Sequence, residues 1–289
     1  MTTQTLKNWD ISNLGSTVDI IDGDRGKNYP KQDEFSDSGY CLFLNTKNVP
    51  SNSFSFDEKM FVTKEKDFTL RKGKLSRGDF VLTTRGTVGH FAHFSDKIPF
   101  ENIRINSGMV ILRPKKDGKL LSGFFKFYLD SLLFRDQVKS RSSGSAQPQL
   151  PIRDLSTFEI EIPDLQSQKQ IADILSTYDD LIENNTRRIQ ILEQMAQAVY
   201  TEWFVNFRFP GHEKAKMIDI GGGAIFASVT RADLNNFPVV IPNAKVAGLF
   251  EDLVSPFDGL IFNISHNLSV LRRSRDLLLP KLVTGEIRV

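Results

Sequence analysis

The sequence predicts an α+β chain: one mixed α/β domain, followed by two long helices that form an antiparallel coiled coil. Three observations predict it. The segment Asp154-Leu-x-x-Phe158-x-x-x-Ile162-Pro163 returns 79 residues later as Asp233-Leu-x-x-Phe237-x-x-x-Ile241-Pro242, and each copy precedes a long helical pattern. In both patterns the apolar residues recur in alternating steps of four and three, the seam of a coiled coil rather than the broader stripe of a globular helix. Ahead of the first copy, short apolar runs alternate with glycine- and serine-bearing turns, as in a domain rich in strands.

Ser38-Gly39 leads into Cys41–Leu44, Gly78-Asp79 into Phe80–Thr84 and Ser107-Gly108 into Met109–Leu112, so each run reads as a strand. Leu120 to Val138 then carries a wide apolar stripe (Leu121, Phe124, Phe125, Phe127, Tyr128, Leu132, Leu133, Phe134) suited to lying against a sheet. The 23 phenylalanines are dense here and read as core rather than as platforms for stacked bases. In the first long helix the seam is Ile171, Leu175, Tyr178, Ile182, Asn185, Ile189, Leu192, Ala196, Val199 and Trp203. At 1.5 Å per residue, Pro163 to Phe204 makes a rod of about 60 Å, a length suited to holding two things apart. The second helix keeps the phase with Phe250, Val254, Phe257, Ile261, Ile264, Leu268, Leu271, Arg275, Leu278 and Leu282. Matches at Ser176/Ser255, Asp179/Asp258, Leu181/Leu260 and Asn184/Asn263 extend the repeat, and the two helices are expected to pair within one chain. Periodicity alone equally allows a dimerisation coil. Pro256 is expected to start or kink the second helix and Pro280 to end or bend it. Asn185, an amide on the seam, is expected to need a partner and so to fix the register.

With 289 residues, a net charge of +2 and a charged fraction of 25%, the chain is long enough for a proper core and is not a disordered polymer. Its single cysteine, Cys41, excludes an intrachain disulfide, and no apolar stretch reaches the length of a membrane span. A reducing cytoplasm is the expected location. The charge is uneven: residues 1–150 hold 23 basic against 17 acidic side chains, and between Arg71 and Arg141 the ratio is 15 to 6. That excess suggests a polyanion as partner.

The chemistry is concentrated in turns. Asp24-Arg-Gly-Lys-Asn28, Asn45-Thr-Lys-Asn48, Thr83-Thr-Arg-Gly-Thr87, Arg104-Ile-Asn-Ser107 and Arg141-Ser-Ser-Gly-Ser-Ala-Gln-Pro-Gln149 gather arginine, lysine, asparagine, glutamine and small hydroxyls. Arginine and lysine pair with the guanine edge, asparagine and glutamine with adenine, and hydroxyls with phosphate. The candidate DNA-binding residues are therefore Arg25, Lys27, Asn28, Lys47, Asn48, Thr84, Arg85, Thr87, Arg104, Asn106, Arg141, Ser143, Gln147 and Gln149. Nothing points to catalysis or a cofactor: there is no Asn/Asp-Pro-Pro-aromatic methyltransferase motif, no phosphate loop, no His-Glu-x-x-His and no paired cysteines. His90-x-x-His93 lacks a nearby third ligand for a metal.

The run from Ile162 to Phe207 resembles the first long spacer helix of the specificity subunits of type I restriction-modification systems, and Leu278 to Val289 resembles the end of their second. Ser145–Leu150 and Arg77–Gly89 are similar to stretches of that family's target recognition domains. The resemblance implies a target recognition domain at 1–160, a first spacer helix at 161–208, a remnant of a second recognition domain or linker at 209–242, and a second spacer helix with a tail at 243–289. Only a short segment around Gly221-Gly-Gly223 stands where a second recognition domain is usual, so the chain reads as a truncated form with one such domain. It further implies a non-catalytic subunit that reads one half-site of double-stranded DNA and docks DNA methyltransferase subunits, which bind S-adenosylmethionine and methylate adenine. Restriction subunits and a homodimer stay open as further partners. The alternative is a coiled-coil assembly or decoy protein that binds methyltransferase subunits without productive DNA recognition; a self-contained endonuclease is a more distant reading.

Overall fold

The structure is a computed structural model that describes residues 9–116, 118–142, 148–211 and 242–289. The chain divides into two compact units, Met1–Thr177 with Ser274–Val289, and Tyr178–Arg273.

In the first unit β1 (Asp10–Asn13) is followed by a single helical turn, α1 (Leu14–Thr17). Strands β2 (Val18–Asp22), β8 (Met109–Pro114), β5 (Phe80–Thr83) and β6 (Phe91–His93) lie in that order in an antiparallel sheet. A second sheet orders β4 (Phe61–Val62), β3 (Cys41–Leu44) and β7 (Ile103–Ile105), with β3 and β7 parallel. The short helix α2 (Lys64–Thr69) follows β4. After helices α3 (Ser122–Asp130), α4 (Leu132–Arg141) and α5 (Ile152–Ser156), β9 (Glu159–Ile162) returns antiparallel to β1.

Strands β5 and β8 are unbroken apolar runs because both of their faces are buried. Phe80, Leu82, Val110 and Leu112 face one core; Val81, Met109 and Ile111 face another, against Leu42, Leu44, Ile103 and Ile105. The first core is filled by Phe124, Phe125 and Tyr128 of α3 and Phe134 of α4, with Phe125 edge-on to Phe80 at 5.1 Å. It also takes Ile171 and Leu175 from the start of α6 (Leu165–Tyr200), and Leu279, Leu282 and Val283 from the end of α7 (Ala244–Val283). Buried Gln168 fastens α6 here. Its amide donates to the carbonyls of Lys119 and Pro163, both at 2.8 Å, and accepts from the Leu121 N–H at 2.8 Å.

The single helix expected over Leu120–Val138 is two. Ser131 adopts an extended backbone, its hydroxyl donates to the Tyr128 carbonyl at 2.6 Å, and its oxygen caps the Phe134 N–H. A serine that can satisfy the end of one helix and the start of the next turns the chain without leaving backbone groups unpaired.

In the second unit α6 ends in a π-helical turn, Thr201–Val205. Tyr200, Trp203 and Phe204 of this end meet Phe250 near the start of α7, with centroid distances of 6.3, 5.8 and 4.9 Å. The end of one helix beside the start of the other makes the pair antiparallel. Tyr178, Ile182, Asn185, Ile189, Leu192, Ala196, Val199 and Trp203 are half-buried, while most residues between them are exposed. On α7 the same holds for Phe250, Val254, Phe257, Ile261 and Leu271, and Ile264 and Leu268 are buried.

Of the outcomes the sequence allowed, a start at Pro256 and an end at Pro280 are excluded: α7 begins ahead of Pro256 and passes through it, and it runs on beyond Pro280 to Val283. Half-buried seam residues Val254 and Phe257 flank Pro256, and the ring cluster at Phe250 lies ahead of it, where a proline removes one backbone hydrogen bond. The helix ends where Gly285 takes φ +66° and Thr284 donates to the Pro280 carbonyl. Asn185 is half-buried on the seam and makes no side-chain hydrogen bond to another described residue. The second copy of the repeated strand, Asp233–Ile241, and Gly221–Gly223 lie outside the described residues.

Candidate nucleic-acid interface

The turn Asn106–Gly108 between β7 and β8 joins other turns of the first unit. Its Asn106 N–H donates to Leu44 at 3.0 Å, so it sits against the start of the 45–48 turn. The Gly108 carbonyl accepts from the Thr84 and Arg85 N–H groups at 2.9 and 3.2 Å, which fixes the 84–87 turn. Ser107 offers its carbonyl to Arg25 at 3.4 Å. Gly23 lies so close that a Cβ there would fall 2.2 Å from the Asn106 carbonyl oxygen. Arg85 also bridges Gln149, and the Leu150 N–H donates to Thr84 at 2.9 Å. Four turns distant in sequence are thus held around one three-residue loop.

Exposed among them are Arg25, Lys27, Lys47, Arg85, Thr87 and Gln149, with Asn106 half-buried. The side chain of Arg85 makes no hydrogen bond or ion pair to a described residue. Arg25 pairs with Asp22 at 3.1 Å and Lys47 with Glu58 at 3.2 Å. Exposed pairs of this kind contribute at most about 1 kcal/mol, so both cations can turn to a stronger anion.

Several residues expected at the surface belong to the scaffold. Arg104 is buried, donating from Nε to Asp67 at 2.6 Å and from its terminal nitrogens to the carbonyls of Lys72, Asp67 and Leu70. Asn48 is buried, with its amide spent on Ser55, Glu58 and the Asn45 N–H. Thr84 is buried with its hydroxyl on Gly108. Asn28 is half-buried and donates to the Thr69 carbonyl at 3.0 Å. In each case burial leaves polar groups that must be paired internally, which takes them away from any ligand. Arg141 is exposed at the end of α4 and donates to Thr157 at 2.9 Å; none of the contacts joining the turns reaches it. Ser143 and Gln147 lie outside the described residues.

The basic excess is likewise partly structural. Arg113 is paired with Asp79 at 2.7 Å, Lys115 donates to Gly15 and Ser16, and Arg77 caps three carbonyls while lying over Phe94. Burial raises the carboxyl of Asp67, but hydrogen bonds from Lys74 and Arg104 outweigh it and hold the group below the usual range. Burial and the Asp67 charge push the Cys41 thiol up to about 12, so it stays protonated and inert. His93 stacks on Phe80 at 4.4 Å rather than pairing with His90 around a metal. Among the described residues no three His, Cys, Asp or Glu side chains converge as metal ligands.

Residues 6–194 match the family described as the type I restriction modification DNA specificity domain. The chain belongs to this family. It is 27% identical over 201 residues to the type I restriction enzyme HindI specificity subunit of Haemophilus influenzae, covering 69% of this chain and 43% of that protein. It is also 27% identical over 202 residues to the MjaIX specificity subunit of Methanocaldococcus jannaschii, covering 70% and 45%. The chain therefore spans less than half the length of these relatives. Among solved structures, the S subunit of a type I restriction-modification system from M. genitalium shares the fold, with a TM-score of 0.50, 16% identity and coverage of 71% of this chain and 48% of that one. Within the specificity domain the turn hub is built on Gly23, Ser107 and Gly108. Gly23 had a signal in the sequence, a Gly-Asp step directly after a strand. No helix among the described residues is long and apolar enough to cross a membrane.

Proposed function

We propose that this chain is the DNA-reading subunit of a type I restriction-modification complex, itself without catalytic activity and acting in the cytoplasm. Residues 1–160 are the target recognition domain, 161–208 and 243–289 the spacer helices, and 209–242 the remnant between them. The observation that carries the reading is the set of four turns joined at Asn106–Gly108, which with that loop gathers Arg25, Lys47, Arg85, Asn106 and Gln149, the residue types that read base edges and phosphates.

The helices are read as the dock for DNA methyltransferase subunits. Leu181 and Leu260 are repeat-equivalent, off the seam and exposed at 44% and 47%; Ile191 and Val270 are a second such pair at 45% and 51%. Measured from the Trp203–Phe250 contact at 1.5 Å per residue, Leu181 lies about 33 Å back along α6 and Val270 about 30 Å along α7, so they share a level. Ile191 and Leu260 share another by the same measure. Two like apolar patches related by the internal repeat suit two copies of one partner. Methyl transfer to adenine, and the S-adenosylmethionine it needs, belong to that partner.

The test is a mobility-shift titration of the chain on random duplex, with and without modification subunits, followed by sequencing of methylated sites in cells expressing both. A retained duplex with one recurrent methylated motif is expected. Capture of modification subunits with no duplex retained and no motif would establish the assembly or decoy reading instead.

A further inference from the structure

We propose that the cleft between the 86–90 hairpin and α4 seats a phosphodiester of the DNA backbone, beside the bases met by Arg85 and Gln149. This rests on the DNA-reading function above. The cleft has a volume of about 590 Å³ and is bounded by Asn52, Gly86, His90, Arg135, Lys139 and Ser142. Arg135, Lys139 and Ser142, four and three residues apart, project from one side of α4 and its end.

The charges are specific. Asp130 accepts from Arg135 at 2.6 Å and also from the Asn52 amide, so one carboxylate positions both groups at the wall of the cleft. That ion pair is neutral. Lys139 is exposed and has no side-chain partner among the described residues, which leaves the cleft one net positive charge. A phosphodiester carries one negative charge; a terminal phosphate carries closer to two. His90 lines the cleft, and its buried Nδ1 has no hydrogen-bond partner among the described residues, so the ring is placed to report on what the cleft holds. Gly86 adjoins Arg85 and Pro148 adjoins Gln149, and Arg85 and Gln149 pair with each other, so the cleft opens next to the reading surface. A strand held there is placed in register by contacts that carry no base information.

The experiment compares Lys139→Gln with wild type by duplex titration over a range of salt, and follows the His90 ring resonance on addition of thymidylyl-thymidine, which carries one phosphodiester. Because Lys139 is exposed, its replacement spares the core. The variant is expected to bind all sequences more weakly by a common factor, with the slope of log affinity against log salt reduced by about 0.9, one phosphate's worth. The dinucleotide is expected to shift His90 in the wild type and not in the variant. An unchanged salt slope, or a loss confined to one base position, overturns the seat. If the wild type binds no duplex, the DNA-reading function fails; the His90 shift then decides the cleft by itself, and its absence removes that too.

Discussion

Arg85 and Arg104 are the same residue type in stretches of similar composition, yet one lies exposed in a turn with no side-chain partner among the described residues and the other sits in β7 at 5% exposure against Asp67. Replacing each with alanine is expected to separate the two roles. Arg104→Ala leaves the carbonyls of Lys72, Asp67 and Leu70 without their donor while Lys74 still pairs the Asp67 carboxylate, and should cost roughly 1 to 3 kcal/mol in chemical denaturation. Arg85→Ala should change stability by no more than about 0.5 kcal/mol. Its effect should appear in DNA binding, as a loss of roughly 1 to 3 kcal/mol with preference relaxed at one position. The turns were legible from composition, but the burial that assigns Arg104, Asn48 and Thr84 to the scaffold depends on contacts across sheets that composition does not encode. Histidine 93 gives a second outcome at this scale. Burial, helped by the Lys126 charge, holds its pKa below the ordinary 6.5. Between the depressed folded value and 6.5 the unfolded chain binds the proton more readily, so stability is full above 6.5 and falls as pH drops through that window. Urea midpoints across the window should show that slope in the wild type and a flatter one in His93→Phe, which keeps the stack on Phe80.

At the scale of elements, strands and coiled-coil seam were readable because periods of two and of three-and-four are local properties of the sequence. Breaks in helices were not. Ser131 ends one helix and starts the next through its hydroxyl, while α7 runs through Pro256 between half-buried seam residues Val254 and Phe257. The seam and the exposed apolar positions should respond differently to mutation. Ile264→Ala and Leu268→Ala, at 6% and 7% exposure, should destabilise the helical pair by about 2 to 5 kcal/mol. Leu181→Asp and Leu260→Asp should leave the thermal midpoint nearly unchanged and weaken capture of modification subunits by similar factors, because the repeat makes the two sites alike. Strongly unequal losses in a pull-down with purified subunits would show that the repeat in sequence is not a repeat in docking.

For the whole molecule, the internal repeat bears on the proposed DNA-reading role. Among the described residues two like helices follow one folded α/β unit, and the chain spans less than half the length of the HindI and MjaIX subunits. On the proposed DNA-reading role two chains are expected to cooperate at a full target, and the symmetry of the pair is then expected to be copied into the DNA as the same short sequence in inverted orientation. The gap between half-sites should follow helix length. Inserting one heptad into both α6 and α7 lengthens each by about 10 Å, which at 3.4 Å per base pair adds about three base pairs to the gap without altering the bases read. Methylation-site mapping of the wild type and the insertion variant, each with modification subunits, measures both properties together. A wild-type target with two different halves would refute reading by two identical domains, and a gap that stays fixed in the variant would show that something other than the helices measures it.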